Sequence, residues 1–576
     1  MTTFTIEANG RTLEALPDET ILETLERGGI HVPTLCHLAG LAPTGACRMC
    51  VVEVDGKPNL VPSCAFPVAP GMRIASNSPR VLRARRTLVE LLLANHPDDC
   101  LYCGSSARCE LRSLAQDLGV RRRRFAGART RRDQDVSSPA IVRDPDKCIL
   151  CAKCVRVCEE VQGVAAIDFI GRGAKAFVGT AFDKGLNVSS CVNCGQCVLA
   201  CPTGALHERF NIDDVVRALG DAEAFVVVQH APAVSVSIAE EFGIAPGADV
   251  DGKLVAALRR VGFKRVFDTS FAADLTVMEE GSELARRIAT GGVLPMMTSC
   301  SPGWVKFVET FYPELTPNLS TCKSPQQMMG AVIKSCFAER SGIDPHKIVS
   351  VAIMPCTAKK FEAARPEMGR GGVQDVDYVL TTRELALLFR LNGVNPATAE
   401  PEAADTPFGE RSSAGKLFGA SGGVTEAALR SVHYFLTGRE LAELEVGELR
   451  GDASRKELRA GIGDLEVGAV VVSGLGEARK LLEEIGAGDR KDIQLVEVMT
   501  CPGGCINGGG QPAGAGRETI LARMNALYRA DGNAPVRVSH RNAAVRRLYD
   551  EYLGAPLGAK SHHLLHTRYA ERDVML

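Results

Sequence analysis

The sequence predicts a multidomain chain, α+β in its amino-terminal part and α/β beyond it, and three observations carry that prediction. At 576 residues the chain is several times the length of an ordinary domain, enough for about four. Fifteen of its 21 cysteines fall in the first 201 residues, in tight groups separated by short apolar segments. From about Phe225 the cysteines thin out, and short apolar strands alternate with helical stretches.

Composition excludes several classes. Apolar residues make up 45% and 67 Lys+Arg nearly cancel 69 Asp+Glu, which rules out a disordered chain, a polyanion or a generally basic nucleic-acid binder. No apolar run reaches the roughly 18 residues of a membrane span, and Met1-Thr2-Thr3-Phe4-Thr5 lacks the basic and apolar blocks of a signal peptide, so a cytoplasmic location is expected. In a reducing cytosol, clustered thiols bind metal or do redox chemistry in preference to forming disulfides.

Residues 1–78 alternate apolar and polar (Phe4, Ile6; later Val51, Val52, Val54) around a helical stretch near Thr20–Gly28, a small sheet crossed by a helix. Cys36, Cys47, Cys50 and Cys64 supply four thiolates, and the module resembles a 2Fe-2S ferredoxin domain of the kind found in respiratory-complex and hydrogenase subunits. Residues 79–120 carry an apolar helix (Leu88–Leu93) followed by His96, Cys100, Cys103 and Cys109. That set resembles the one-His, three-Cys 4Fe-4S domain shared by complex I and iron-only hydrogenases. A structural zinc site is the competing reading of both quartets. The arginines at 121–124, 129, 131 and 132 read as a basic linker, solvated or docking an acidic partner.

Residues 139–210 contain Cys148-x2-Cys151-x2-Cys154-x3-Cys158 and Cys191-x2-Cys194-x2-Cys197-x3-Cys201-Pro202, the bacterial two-cluster ferredoxin pattern. In that pattern the fourth Cys ligates the other cluster, so Cys148, Cys151, Cys154 and Cys201 would hold one 4Fe-4S cube and Cys191, Cys194, Cys197 and Cys158 the other. Glu159 stands where the pattern has Pro, a change to a turn and not to a ligand. One 2Fe-2S and three 4Fe-4S clusters would form a wire, and a wire needs a terminus.

Residues 220–515 read as a large α/β domain with strands at Ala224–Gln229, Val351–Met354, Ala469–Ser473 and Leu495–Met499. Three Cys-bearing loops stand at or just after such apolar runs: Thr298-Ser-Cys-Ser-Pro-Gly-Trp304, Met354-Pro-Cys-Thr-Ala-Lys-Lys-Phe-Glu362, and Glu497-Val-Met-Thr-Cys-Pro-Gly-Gly-Cys-Ile-Asn-Gly-Gly-Gly-Gln-Pro512. They closely resemble the three signature motifs of the FeFe-hydrogenases, and with the relay in front the resemblance covers essentially the whole chain; residues 516–576 look like that family's small-subunit segment.

The resemblance implies an H-cluster, a 4Fe-4S cube joined through a thiolate to a diiron unit with CO, cyanide and a bridging dithiolate, and reversible interconversion of H2 with two protons and two electrons. By match, Cys356 and Cys501 would hold the cube and Cys505 would bridge to the diiron unit. Lys359 would donate to a cyanide, a task suited to a compact ammonium. Ala231, Pro232, Ala233, Gln326, Met354, Phe418 and Met499 would line the cofactor pocket, and Gly508, Gly509 and Gly510 would let backbone come close. The family's proton path would run through Cys300, Glu280, Ser320, Glu283 and Arg287, of which Glu280, Glu283 and Arg287 share one helix face by spacing.

Two departures qualify the match. Ser301 stands where the family has a second Cys, the fourth cube ligand. Cys300 relays protons while Ser301 ligates, or Cys300 ligates and Ser301 relays, or Cys322 moves in as ligand. Ala233 replaces a common Ser, which, with the Ser320-Thr-Cys-Lys-Ser segment, looks most like the catalytic subunits of NAD(P)-linked hydrogenases. No GxGxxG strand-turn-helix unit occurs, so flavin and nicotinamide would sit on partner iron-sulfur subunits, with ferredoxin as the other candidate partner and maturation proteins supplying the diiron unit. Rival readings are an iron-sulfur assembly or interaction protein and an H2 sensor. Cys336 reads as a small buried hydrophobe, and His562, His563 and His566 as interface or helix histidines.

Overall fold

The computed structural model describes residues 3–127, 131–463 and 465–574; Arg129 of the basic segment lies outside them. The first module is a five-stranded sheet in the order Arg11–Ala15, Phe4–Ala8, Arg73–Ala75, Val51–Val54, Val61–Pro62. Its helix, Ile21–Arg27, starts where the sequence signals it: Glu23 N donates to Thr20 Oγ1 at 3.3 Å while Thr20 N donates back to Glu23 Oε2 at 2.7 Å. Leu35 and Met49, beside the thiols, pack on Val89 and Leu111, so this module rests on the helices Pro79–Asn95 and Glu110–Asp117 of the next.

The basic segment is folded back. Arg123 pairs with Asp98 and donates to His96 O at 2.7 Å, Arg124 Nε donates to Glu90 Oε2 at 2.7 Å, and the Arg132 guanidinium lies 3.6 Å over the Phe177 ring. Arg121 and Arg122 stay exposed. The two-cluster module shares its core with the α/β part: Ile141, Val155, Val192 and Val198 pack in one cluster with Trp304, Phe307, Val472 and Val498. Burial of that continuous apolar surface, worth roughly 25 cal/mol per Å², fixes this module against the α/β part.

The α/β part is built on two sheets and not one. The first, in the order Arg265–Asp268, Phe225–His230, Ile348–Met354, Tyr378–Thr381, is all parallel. The second runs Met296–Met297, Leu495–Met499, Leu465–Ser473, Arg455–Ile462, parallel except for the antiparallel edge strand Arg455–Ile462. Apolar runs such as Phe-Val-Val-Val and Val-Ala-Ile-Met are what strands covered on both faces require. The helix Thr269–Thr290, capped by the Asp268 carboxylate on Ser270 N at 2.8 Å and ended by Gly291 at φ 69°, packs on Gly423–Thr437 and Pro325–Val332. The carboxyl-terminal segment packs on the same helix, with Val545, Leu548 and Leu565 against Phe271 and Leu275. Among the described residues no helix is long and apolar enough to cross a membrane.

Candidate active site

The catalytic loops leave the carboxyl ends of strands in both sheets. Ala231-Pro232-Ala233 follows Phe225–His230 and Cys356 follows Ile348–Met354 in the first; Cys300 follows Met296–Met297 and Cys501 follows Leu495–Met499 in the second. Parallel strands aim these ends the same way, and the loops meet around one cavity. Its lining includes every cofactor-pocket residue expected from the sequence: Ala231, Pro232, Ala233 and Gln326 on one side, Met354, Phe418 and Met499 around it, and Ser301 and Lys359 at its rim.

Cys356, Cys501 and Cys505 stand together on this cavity. Burial raises the pKa of all three, and for Cys501 and Cys505 neighbouring thiols push it further up. Three buried thiols that cannot share negative charge by themselves are a donor set for a metal cluster, whose cationic iron removes the conflict. Cys300 packs, as Cys505 also does, against the apolar cluster of Ala273, Val277, Phe418 and Met499, while Ser301 Oγ is 2.8 Å from Thr500 Oγ1, one residue from Cys501. Cys322 is absent from the lining; its thiol faces Glu283 and His566 instead.

Lys359 is held in place by its surroundings. Its Nζ donates to Cys300 O and to Glu362 Oε2, both at 3.0 Å, and the same carboxylate oxygen accepts from Ser324 Oγ at 2.8 Å and Gln326 Nε2 at 3.3 Å. Gln326 Oε1 is buried without a partner. Glu362, which closes the second motif, orients both Lys359 and Gln326. Glu497 takes backbone N–H donors from Gly422 at 2.8 Å and Thr425 at 2.7 Å, pinning the start of helix Gly423–Thr437 beside the third motif.

The acidic line is assembled on helix Thr269–Thr290. Arg287 Nη2 donates to Glu283 Oε1 at 2.6 Å and Ser320 Oγ donates to Glu283 Oε2 at 3.0 Å, while Glu280 Oε1 is buried without a partner beside them. Glu280 is buried, and its carboxyl is pushed up to about 8, by burial first and by Glu283 second, so it is neutral at pH 7. Cys300 has its own pKa raised well above the thiol range, by burial first and then by Glu280 once that carboxyl is ionised. Ser320, Glu283 and Arg287 are thus joined by hydrogen bonds, with Glu280 and Cys300 close enough for the charge on one to act on the other.

The relay thiols gather as the cross-ligation pattern requires. One cavity is lined by Cys148, Cys151, Cys154 and Cys201, and another by Cys158, Cys191, Cys194 and Cys197. His96 Nδ1 donates to Pro97 O at 3.1 Å, since that oxygen can only accept, and Nε2 is left buried and unpartnered, a lone pair ready for a metal. In the first module Cys47 N lies 3.5 Å from Cys36 Sγ, and Cys50 and Cys64 are mutually hydrogen-bonded.

The second relay cavity abuts the catalytic one. A Cβ on Gly509 would fall 2.3 Å from Cys194 O, so only glycine lets the third motif press against the relay loop. Thr357 Oγ1 donates to Asn193 O at 2.7 Å, and Gln196 Nε2 to Asn507 O at 3.0 Å. Arg383, not singled out from the sequence, bridges the same junction, donating to Glu208 Oε1 and Gly509 O, each at 2.8 Å.

Residues 224–509 match the family described as iron only hydrogenase large subunit, C-terminal domain, and 517–572 match iron hydrogenase small subunit. Residues 1–79 match a 2Fe-2S iron-sulfur cluster binding domain, 85–124 the iron-sulfur binding region of NADH-ubiquinone oxidoreductase-G, and 138–207 the ferredoxin-like domain of NADH-quinone oxidoreductase subunit 3. Over all of both chains the sequence is 46% identical to the NADP-reducing hydrogenase subunit HndD of Solidesulfovibrio fructosivorans. Against iron hydrogenase 1 of Clostridium pasteurianum it is 38% identical over 98% of this chain and 99% of that one. The solved apo FeFe-hydrogenase of Chlamydomonas reinhardtii superposes with a TM-score of 0.57 at 40% identity, covering 62% of this chain and 98% of its own.

Proposed function

The chain belongs to the FeFe-hydrogenase large-subunit family, and on that premise we propose that it interconverts H2 with two protons and two electrons at an H-cluster seated in the cavity where its loops meet, exchanging the electrons with a flavin- and NAD(P)-binding partner through one 2Fe-2S and three 4Fe-4S clusters. The observation that carries the reading is convergence: four thiols, an oriented ammonium and two thioethers line one cavity, and Gly509 of its third loop presses on Cys194 of a second, four-thiol cavity.

When bound, the H-cluster supplies the redox centre at which the H–H bond is made or broken. The chain's own residues do the rest. Cys356, Cys501 and Cys505 would ligate, with the Ser301 hydroxyl on the Thr500 side as the fourth donor. The Lys359 ammonium, fixed by Glu362 and Cys300 O, is aimed to hold an anionic ligand, and Gln326, Phe418, Met354 and Met499 exclude water. Cys300 would hold a proton beside the cavity, neutral Glu280 would take or give it, and Ser320 would pass it to Glu283, where Arg287 closes the series toward solvent.

Several observations support the NAD(P)-linked reading: the full-length relative is named NADP-reducing, two amino-terminal modules resemble NADH-dehydrogenase segments, and the chain has no dinucleotide fingerprint. We infer five units, at 1–78, 79–120, 139–210, 220–515 and 516–576, in a cytoplasmic assembly. The test is anaerobic: mature the chain with the diiron cofactor, record the infrared region of metal-bound CO and cyanide, and assay H2-driven dye reduction, then NAD(P)+ reduction with the partner subunits added. Bands with turnover bear the reading out. Bands without turnover point to a sensor, and no bands with intact relay clusters to an assembly scaffold.

A further inference from the structure

We propose that Glu283, Cys322 and His566 form a site for a borderline-soft divalent cation of the Zn2+ type, and that filling it closes the proton route at Glu283. The closure half rests on the proton path proposed above; the site itself does not. Cys322 Sγ lies 4.0 Å from Glu283 Oε2 and 3.9 Å from His566 Nδ1, all three residues are buried, and their ligand atoms all fall within 4.8 Å of one another. A tetrahedral Zn2+ with Zn–S about 2.3 Å and Zn–N about 2.0 Å holds S and N roughly 3.5 Å apart, so that pair needs to contract by only a few tenths of an ångström, with the Glu283 carboxylate, within 4.8 Å of both, moving in as the third ligand.

The surroundings are those of a metal site. His566 Nε2 faces Glu279 Oε2 at 3.1 Å, and Glu279 is itself fixed by Tyr549 OH at 2.6 Å and Leu557 N at 2.7 Å. A carboxylate behind a histidine sets its tautomer, leaving Nδ1 as the lone pair toward Cys322. Thr321 Oγ1, 2.8 Å from Nδ1, is the hydroxyl that a bound cation would displace from that lone pair. Backbone fixes the rest: Cys322 and His566 pair as an antiparallel bridge, with Lys323 N donating to Leu565 O and Thr567 N to Thr321 O, both at 2.8 Å.

Charge favours a cation, because the Glu279 and Glu283 carboxylates stand beside the thiol, with neutral Glu280 next to them, against the nearby cation Arg287, which engages the other Glu283 oxygen. Exposed His562 stacks on His566 at 4.5 Å, putting the site one ring below the surface. Binding would exchange the Cys322 thiol proton for a metal–sulfur bond, one proton released per cation. It would also take the Glu283 oxygen that Ser320 now reaches, and with it the hydrogen bond along which a proton would move.

The experiment titrates ZnCl2 into matured holoenzyme without oxygen and reads two signals: the Zn X-ray absorption edge and H2-driven dye reduction. Expected are one sulfur near 2.3 Å with nitrogen and oxygen shells, turnover lost as the site fills and restored by chelator, and apparent affinity weakened at least tenfold in His566→Gln and in Cys322→Ala. No bound Zn2+, a four-sulfur shell marking invasion of a relay site, or equal affinity in wild type and His566→Gln would overturn the site. The mixed-ligand shell with unchanged turnover would overturn the closure, and with it the route through Glu283, while the site stood.

Discussion

Replacing Glu280 with Gln tests the buried acid series at its most perturbed member. The structure raises this carboxyl from 4.5 to about 8, through burial and the neighbouring Glu283. The shift corresponds to about 5 kcal/mol at 1.36 kcal/mol per pKa unit, an upper figure for a group so enclosed. At pH 7 the carboxyl is then about ten parts protonated to one ionised, where an ordinary one would be almost wholly ionised. The sign follows: the folded state keeps a proton that the unfolded chain releases, so stability is fully present below about 4.5 and is lost as pH rises through about 8. Glu280→Gln keeps size and neutrality but cannot pass a proton, so turnover should fall on the order of 10²- to 10⁴-fold while iron content and cofactor infrared bands persist. A pH titration of the protonated-carboxyl infrared band should show a component vanishing near pH 8 in the wild type and missing in the variant. A wild-type carboxyl that is already ionised by pH 6, or a variant that turns over at the wild-type rate, refutes the reasoning.

Other outcomes follow from the same geometry. Cys300→Ala should keep its iron and lose turnover on the order of 10²-fold or more, whereas Ser301→Ala should lower iron content or change the cube's electron paramagnetic signal; an active Cys300→Ala enzyme would remove Cys300 from the proton path. Cys201→Ser should abolish the cluster of Cys148, Cys151 and Cys154 and spare that of Cys191, because each cavity borrows its fourth thiol, and loss of both signals would contradict the cross-ligation. His96→Cys should lower that cluster's midpoint potential by about 100 mV or more through the added thiolate charge, read by redox titration. Glu362→Gln should shift the cyanide infrared bands by loosening Lys359, and unchanged bands would show that the ammonium needs no carboxylate behind it.

Much of the candidate site is legible in the chain because its chemistry is written in short loops. Cysteine spacings announce thiolate clusters, and Glu280, Glu283 and Arg287 fall on one face of any helix. Glu362 and Glu497 stand at the ends of motifs and Arg383 outside any, and such a charged residue looks solvated until partners as far as 175 positions away are seen. The terminal histidines illustrate the same limit. His566 belongs with Glu279, Thr321 and Cys322, yet nothing local to it says so.

What the sequence by itself determined is local: which residues can ligate iron, which strands are apolar on both faces, where helices begin, and that fifteen thiols precede the catalytic loops. A ligand's identity and the period of an apolar pattern are properties of a few consecutive residues, so they survive reading in one dimension. Tertiary structure decided that two sheets, not one, aim their strand ends at a common cavity, that Cys300 and Ser301 face different surroundings though adjacent, and that Gly509 meets Cys194. Those are contacts between segments hundreds of residues apart, selected by the packing of whole apolar faces, and no window of sequence contains both sides of them.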